Sequence, residues 1–190
     1  MQDITDEKLF LKVISKNNQE AMEIIIHRYN KLIYKFIYSK LSDYYLAQDL
    51  CQEVFIKVYE KRDTFNPEYT FKSWIYKIAN NCIIDYFRSK EYKNKKQASE
   101  VLEDIAITEN FNIIEYKMLQ NDINDALKTL KENQQEVVTL RFYEDLSLKE
   151  ISYITESNLN TVKARLYSGI KYLKQALKKD YGGDKLENTK

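Results

Sequence analysis

The sequence predicts an all-α protein of two small helical domains joined by a flexible linker. Its 190 residues include only 3 Gly and 1 Pro, a composition that favours helices with few tight turns. Apolar residues recur at steps of three and four over most of the chain, as on the buried face of an amphipathic helix. This period weakens in an acidic stretch near the middle, where we expect the linker.

The first helices are delimited by capping residues. Thr5 is a candidate N-cap for a short helix with an acidic first turn, and Asn17-Asn18 interrupts the apolar stripe of that helix. A long, strongly apolar helix is predicted over residues 19–41, and Ser42-Asp43 caps the helix that follows it. His27 lies on the long helix without a carboxylate or nucleophile motif around it, so we expect a structural or surface role.

The third predicted helix carries two different stripes. Its apolar stripe consists of Ala47, Leu50, Cys51, Val54 and Val58. A second stripe recurs at the same steps on another face and consists of Asp49, Gln52, Glu53 and Ile56, with no Lys or Arg within it. By itself this second stripe is either a solvated helix face or a surface that meets a partner.

A loop over Arg62–Thr70 precedes the next helix, which is predicted over Phe71–Arg88. Aromatic rings in a Lys/Arg-rich context are suited to stacking on unpaired bases. The candidate rings are Phe65, Tyr69 and Trp74, and for Trp74 a place in the core is an equally good interpretation. Asn80 and Arg88 are expected to point away from the core face of the helix, where they can reach a base edge or a phosphate.

Two motifs in this half of the chain resemble region two of the extracytoplasmic-function (ECF) sigma factors, small promoter-recognition subunits of bacterial RNA polymerase. Residues 49–55 read Asp-Leu-x-Gln-Glu-x-Phe, and residues 71–88 read Phe-x-x-Trp-Ile-x-x-Ile-Ala-x-Asn-x-x-Ile-Asp-x-x-Arg. The resemblance implies that Asp49, Gln52 and Glu53 dock on the clamp helices of the largest catalytic subunit, with Ile56 as an apolar anchor. It also implies that the following loop and helix capture a flipped base of the minus-ten element. The residues expected to contact it are Phe65, Tyr69, Lys72, Trp74, Lys77, Asn80 and Arg88.

The second half of the chain ends in a predicted helix-turn-helix. Ser147 and Glu150 form a capping box at the start of a short helix, and a turn at Thr155–Ser157 leads to a longer one. On the longer helix the residues expected to face inward are Val162, Leu166, Ile170 and Leu173. The opposite face is polar and basic, which favours insertion into a major groove over burial in a core.

This second half resembles region four of the same sigma factors, which recognises the minus-thirty-five element. The resemblance runs from Ala126 to Leu166, although Ser152 stands where the family usually has Ala. It implies that the second helix of the helix-turn-helix enters the DNA. The residues expected to contact it are Asn160, Thr161, Lys163, Arg165, Tyr167, Ser168 and Lys171.

The domain limits follow from these motifs and from the charge distribution. We expect region two at 1–90, an acidic linker at 91–117, region four at 118–180 and a disordered tail at 181–190. The formal net charge is +1, but 57–96 and Ser147–Lys179 are basic whereas 97–127 is acidic. Two separated basic blocks indicate two phosphate-facing surfaces.

Several classes of function are disfavoured by what the chain lacks. There is no run of eighteen apolar residues and no secretory signal, so we expect a cytoplasmic protein without membrane insertion. Cys51 and Cys82 are expected to be reduced and buried, and one His with two distant Cys gives no zinc-ligand spacing. No catalytic constellation is visible, so we expect no enzyme activity, small-molecule substrate, cofactor or metal.

The resulting functional hypothesis is an alternative sigma factor that binds core RNA polymerase and directs promoter-specific transcription initiation. The expected partners are bacterial core polymerase, promoter DNA and, from the family resemblance, an anti-sigma factor. The alternative is a stand-alone helix-turn-helix regulator. That alternative accounts for Ser147–Lys171 but leaves the stripe of Asp49, Gln52 and Glu53 without a role.

Overall fold

The computed structural model describes residues 4–89, 126–127 and 129–181. Every regular element in these ranges is a helix, which confirms the predicted all-α class. The chain divides into two compact units, of which the first holds the helices before the predicted linker and the second most of those after it. The linker expected at 91–117 and the tail beyond Tyr181 lie outside the described residues.

Four α-helices build the first unit. They are α1 (Asp6–Lys16), α2 (Gln19–Leu41), α3 (Tyr44–Glu60) and α4 (Phe71–Arg88), with a short 3-10 turn at Arg62–Thr64. The limits of α2 and α4 are those predicted from the apolar period. The core lies where α2, α3 and α4 pack against one another, with α1 against α2 and α4.

Polar side chains cap each of these helices at its N-terminus. Thr5 Oγ1 accepts from the amide of Lys8 at 3.4 Å and Asp43 Oδ1 from that of Leu46 at 3.0 Å, which confirms both predicted caps. The C-caps are less usual, because Asn17 and Ser42 have φ of 47° and 52°. This left-handed backbone is the conformation that glycine adopts most easily.

An aromatic cluster fixes the start of α4. The ring of Phe10 on α1 lies 5.5 Å from Phe65, 4.7 Å from Phe71 and 5.2 Å from Trp74, measured between centroids. All four rings are buried. Tilted and edge-to-face contacts of this kind stabilise aromatic pairs beyond the burial of their area.

Two carboxylates of α1 tie it to its neighbours. Asp6 forms an ion pair with Arg28 at 2.5 Å and accepts from the hydroxyl of Tyr29 at 2.6 Å. Glu7 Oε1 accepts from the backbone amide of Phe71 at 2.9 Å, at the first residue of α4. Burial raises the pKa of Tyr29 well above its usual range, and the hydrogen bond to Asp6 acts in the same direction.

The cysteine prediction is confirmed, because Cys51 and Cys82 are buried free thiols. Burial raises the pKa of the Cys51 thiol to about 11. It also raises the pKa of Cys82. Both groups are therefore protonated at neutral pH, which disfavours thiolate chemistry at either position.

The helices after the linker are α5 (Glu132–Phe142), α6 (Leu148–Ile154) and α7 (Leu159–Tyr181), and they form the second unit except for Tyr153–Glu156 at the end of α6. Helices α5 and α7 approach closely at Gly169, where an added Cβ would lie 2.9 Å from Val138 Cγ2. The inward face predicted for the last helix is confirmed for two of its residues, Val162 and Leu166. The other two, Ile170 and Leu173, are only half-buried, because they lie towards the edge of this small core.

The aromatic cluster gives a first testable prediction. Phe10→Ala leaves a cavity against three rings, so we expect it to lower the free energy of unfolding by about 3–5 kcal/mol. Its neighbour Leu11 is 42% exposed, and Leu11→Ala should change that free energy by less than about 0.5 kcal/mol. Urea titration followed by Trp74 fluorescence measures both, since Trp74 is the only Trp of the chain. Equal effects of the two substitutions would contradict the assigned core.

Candidate functional site

The predicted polar stripe of α3 lies on the side of the helix opposite the core. Asp49 and Gln52 are exposed, and Ile56 is 58% exposed. Tyr45, one turn before Asp49, is 74% exposed and continues the same row, because residues at steps of three and four share a helix face. This row combines a carboxylate and an amide with two large apolar side chains, which is the composition of an interface rather than of a solvated surface.

Glu53 differs from the other members of the stripe because its charge is already paired. Its Oε1 lies 2.7 Å from Lys57 Nζ one turn later, and this hydrogen bond is the main reason that the pKa of Lys57 is raised. Asp49 forms no ion pair within the part of the chain that the structure describes. Asp49 is therefore the carboxylate that presents its full charge on this face.

Two of the predicted base-stacking rings are not accessible. Phe65 and Trp74 are 7% and 4% exposed, because both belong to the aromatic cluster around Phe10 and Phe71. The expectation that these two rings lie open to a base is therefore wrong, and the burial of Trp74 favours its core interpretation. A contact of either ring with DNA stays a prediction. Burial in the cluster removes the apolar area of both rings from water, which stabilises the fold.

The expected orientation of Asn80 is also wrong. Its side chain is 2% exposed, and its Oδ1 accepts from Lys40 Nζ at 3.4 Å. Position 80 shares a helix face with the buried residues Tyr76 and Ile83, which stand four residues before it and three after it. This spacing was visible in the sequence and places Asn80 on the core side of α4.

The outward side of α4 carries a different set of polar residues. Arg88 is exposed, while Lys77 and Asn81 are half-buried, and the three follow one another on one face of the helix. We call them the basic row of α4. Asn81 was not among the predicted contacts, although it is the asparagine of the 71–88 motif.

Two further candidates stand at the start of α4. Tyr69, in the loop before the helix, is 37% exposed. The Nζ of Lys72 lies 5.9 Å from the ring centroid of Tyr76, so its charge sits close to the helix surface. Together with the basic row of α4, these two side chains are the partly exposed members of the surface expected to contact the minus-ten element. Within that row, Lys77 Nζ already pairs with Glu156 Oε1 at 3.1 Å.

The helix-turn-helix has the predicted local geometry. The amide of Ser147 donates to Glu150 Oε2 at 2.8 Å, and the amide of Glu150 donates to Ser147 Oγ at 3.3 Å, which confirms the capping box. Glu156 adopts a left-handed φ of 50° in the turn. Asn158 then caps α7, because its Oδ1 accepts from the amide of Thr161 at 2.8 Å.

The exposed face of α7 is basic and continuous. Asn160, Lys163, Tyr167, Lys171 and Lys174 are exposed and follow one another at steps of three and four. We call these five residues the outer face of α7. Tyr167, at its centre, is 69% exposed.

The other residues predicted to contact the minus-thirty-five element lie at the edge of α7. Arg165 Nη1 donates to Ser157 Oγ at 2.9 Å, so its guanidinium is held against the turn. Ser168 Oγ accepts from Gln134 Nε2 at 2.9 Å and so faces α5. Thr161 is half-buried beside the cap. These three side chains therefore lie at the edges of the exposed side of α7. The centre of that side is formed by the outer face of α7.

Neither a metal-binding cluster nor a membrane-spanning helix is found among the described residues. They contain no group of three or more His, Cys, Asp or Glu side chains arranged to hold a metal ion. None of the helices in the described ranges has the length and apolar character needed to cross a membrane. His27, the only His of the chain, is exposed on α2, in agreement with the surface role expected for it.

Comparison with known proteins assigns both units. The chain matches the families Sigma-70 region 2 over residues 25–92 and Sigma-70, region 4 over residues 120–179. The ECF RNA polymerase sigma factor SigW of Bacillus subtilis is 30% identical over 179 residues, which cover 88% of this chain and 95% of SigW. The RNA polymerase sigma factor SigV of the same organism is 36% identical over 148 residues, 77% of this chain and 85% of SigV.

A solved structure shows the same fold. The sigma factor RpoE from Bartonella quintana, crystallised in complex with the anti-sigma factor NepR, matches with a TM-score of 0.65 at 21% identity. The match covers 82% of this chain and 96% of RpoE. Region 2 spans most of α2 and all of α3 and α4, and region 4 spans α5, α6 and nearly all of α7.

The two matched regions together define an RNA polymerase sigma factor of the sigma-70 class. More particularly, the chain belongs to the ECF sigma factor family. It is an alternative sigma factor that binds core RNA polymerase and directs transcription initiation from specific promoters. A stand-alone regulator is not favoured, because such a protein would not need a sigma region 2.

The cap of α7 gives a second testable prediction. Asn158→Ala removes the acceptor for the Thr161 amide, so we expect the free energy of unfolding of the second unit to fall by about 1 kcal/mol. Asn158→Asp keeps an acceptor at the helix N-terminus and should leave that free energy nearly unchanged. Thermal unfolding followed by far-UV circular dichroism compares the two variants. A loss of the same size in both would show that the side-chain cap is not the cause.

Proposed function

We propose that α3 docks the protein on core RNA polymerase through Asp49, Gln52 and Ile56, with Glu53 at the edge of the contact. The observation that carries this proposal is the exposed row on α3, in which a carboxylate without an ion pair in the described residues shares a helix face with an Ile that is 58% exposed. A basic helix of the polymerase would pair with Asp49 and cover Ile56. Charge would then guide the encounter and apolar burial would hold the complex.

The start of α4 would hold the minus-ten element after the strands separate. Tyr69 is 37% exposed and stacks on the ring of Tyr153 at 3.9 Å, and an unpaired base would have to replace that contact in order to stack on it. Such stacking would offset part of the few kcal/mol needed to take a base out of the duplex. Lys72 and the basic row of α4 would contact the phosphates of the same strand. Phe65, Trp74 and Asn80 would act beneath this surface by fixing the position of α4.

The outer face of α7 would enter the major groove of the minus-thirty-five element. Recognition helices contact base edges with residues near their N-terminus, which assigns base contacts to Asn160 and Lys163. Lys171 and Lys174, two turns later, would contact phosphates. Arg165 is held by Ser157 at 2.9 Å and retains further donors for the DNA backbone.

The remaining parts of the proposal concern partners and cellular role. RpoE from Bartonella quintana was crystallised with an anti-sigma factor, and we extend this kind of partner to the present chain. Such a partner would inhibit the protein by covering the α3 face. We propose that the protein acts in the cytoplasm with the polymerase and catalyses no reaction itself, with residues 1–90 and 118–180 as its functional domains.

The polymerase contact is tested by reversing one charge. Asp49→Lys puts a cation against a basic partner, so we expect a loss of about 2 kcal/mol or more, about thirtyfold in the dissociation constant for core polymerase. Asp49 is preferred to Glu53 because Glu53→Lys would also place two lysines one turn apart with Lys57. The control is Glu20→Lys, a charge reversal at an exposed position of α2. Unchanged binding of Asp49→Lys would reject this docking face.

The DNA assignment on α7 is tested with two lysines. In the complex with core polymerase, Lys163→Ala should weaken promoter binding by about 1–3 kcal/mol on some minus-thirty-five sequences and little on others. Lys171→Ala should weaken binding to all promoters alike and reduce the slope of log affinity against log salt by about one. Sequence-independent losses for both would show that the start of α7 does not contact base edges.

A further inference from the structure

The exposed loop before α4 contains a turn that is closed by its own hydrogen bonds. The amide of Tyr69 donates to the carbonyl of Asn66 at 3.1 Å, which puts Pro67 at the position of a β-turn that proline favours. The amide of Glu68 donates to Asn66 Oδ1 at 3.0 Å, and Asn66 Nδ2 donates to Glu68 Oε2 at 3.2 Å. All residues from 66 to 70 are exposed, and we call them the α4 loop. The shape of this turn is therefore set by neighbouring residues.

Helix α1 contacts the chain on both sides of the α4 loop. Directly before the loop, the ring of Phe65 is buried with its centroid 5.5 Å from that of Phe10. Directly after the loop, the backbone amide of Phe71 donates to Glu7 Oε1 at 2.9 Å. Phe10 and Glu7 stand three residues apart, so they share one face of α1. A single helix face, 64 residues away in the chain from Phe71, therefore holds both ends of the loop.

Glu7 suits this contact by its charge as well as by its position. The amide of the first residue of a helix has no partner within that helix, and a carboxylate is stabilised near a helix N-terminus. Thr70 satisfies a later amide of α4, because its Oγ1 accepts from the amide of Ser73 at 3.2 Å. The acceptor for the first amide comes instead from α1. Glu7 therefore serves the start of α4 in addition to lying in the first turn of its own helix.

Helix α1 is itself fixed to the body of the first unit. Asp6 pairs with Arg28 of α2 at 2.5 Å and accepts from the hydroxyl of Tyr29 at 2.6 Å. Arg28 Nη1 also donates to the carbonyl of Ile4, just before α1, at 3.1 Å. The residues that match Sigma-70 region 2 begin only at position 25, after α1 has ended. An element outside that match is therefore held firmly enough to fix the ends of the α4 loop.

We propose that α1 holds the α4 loop in the position that receives the minus-ten element, with Glu7 as the positioning residue. The inference rests on the proposed role of Tyr69 and α4 in holding the minus-ten strand. A base that replaces Tyr153 on the ring of Tyr69 then meets a loop whose ends are already fixed, so less conformational entropy is lost on binding. Without the contact between Glu7 and the Phe71 amide, only a fraction of the molecules hold the loop in this position. The apparent affinity falls by that fraction.

The inference is tested by removing the acceptor and then restoring it. The probe is a labelled single strand that covers the minus-ten element of a promoter transcribed by the complex with core polymerase. Glu7→Ala should weaken binding of this strand to the complex about tenfold in fluorescence anisotropy. Glu7→Gln keeps an acceptor oxygen without the charge and should recover most of the loss. The control is Glu20→Ala, which removes an exposed carboxylate from the first turn of α2 and should bind the strand like the unsubstituted protein.

Two further measurements separate positioning of the loop from a general loss of fold. Glu7→Ala should leave the affinity for core polymerase unchanged, because the proposed docking residues lie on α3 whereas Glu7 contacts α4. Amide hydrogen exchange followed by NMR should become faster at Phe71 in Glu7→Ala and return towards normal in Glu7→Gln. The amide of Ser73 should stay protected in both variants, because its acceptor is Thr70. Faster exchange throughout α4, with equal losses of core and strand binding, would overturn the inference.

The same strand separates this inference from the proposal on which it rests. Weaker binding in Tyr69→Ala with full binding in Glu7→Ala would keep the minus-ten surface and overturn the role of α1. Weaker binding in Glu7→Ala with full binding in Tyr69→Ala would support the positioning by α1 and reject the stacking on this ring. Full binding in both variants would reject both.

Discussion

The packing of Phe10 against the start of α4 is the contact on which the first unit depends. Its ring lies within 5.5 Å of those of Phe65, Phe71 and Trp74, and Glu7 accepts from the Phe71 amide. Together these contacts determine where α4 begins and which side of it is buried. Because successive residues of a helix are rotated by about 100°, fixing the buried side also aims the basic row of α4 outward.

In both units, one helix has a buried side that forms part of the core and an opposite side that we propose as a partner surface. On α3, the buried stripe packs against α2 and α4 while Asp49 and Ile56 face solvent. On α7, Val162 and Leu166 are buried while the outer face carries the positive charge. Because a small helical unit has little surface, the buried residues of α3 and α7 also position the residues that we propose for contact with the polymerase and the DNA.

The features that depend on neighbouring residues were predictable from the sequence. The cap at Asp43, the helix limits and the capping box before α6 follow from local rules. The buried face of Asn80 also follows from such a rule, its spacing from Tyr76 and Ile83, although the opposite orientation was predicted. The burial of Trp74 was not predictable, because it depends on Phe10, far away in the chain. The close approach at Gly169 likewise appears only when α5 and α7 are packed.

The left-handed C-caps of α1 and α2 are positions at which a single substitution can change the stability of the first unit. Ser42 holds a φ of 52° that glycine adopts at lower cost. Its side chain is exposed and forms no hydrogen bond within the described part of the chain that a glycine would remove. Asn17 is a poorer position for the same change, because its Oδ1 accepts from the hydroxyl of Tyr59 at 2.6 Å. Replacing Ser42 with glycine would therefore stabilise the first unit of this sigma factor without changing any side chain of the proposed α3 docking face or of the outer face of α7.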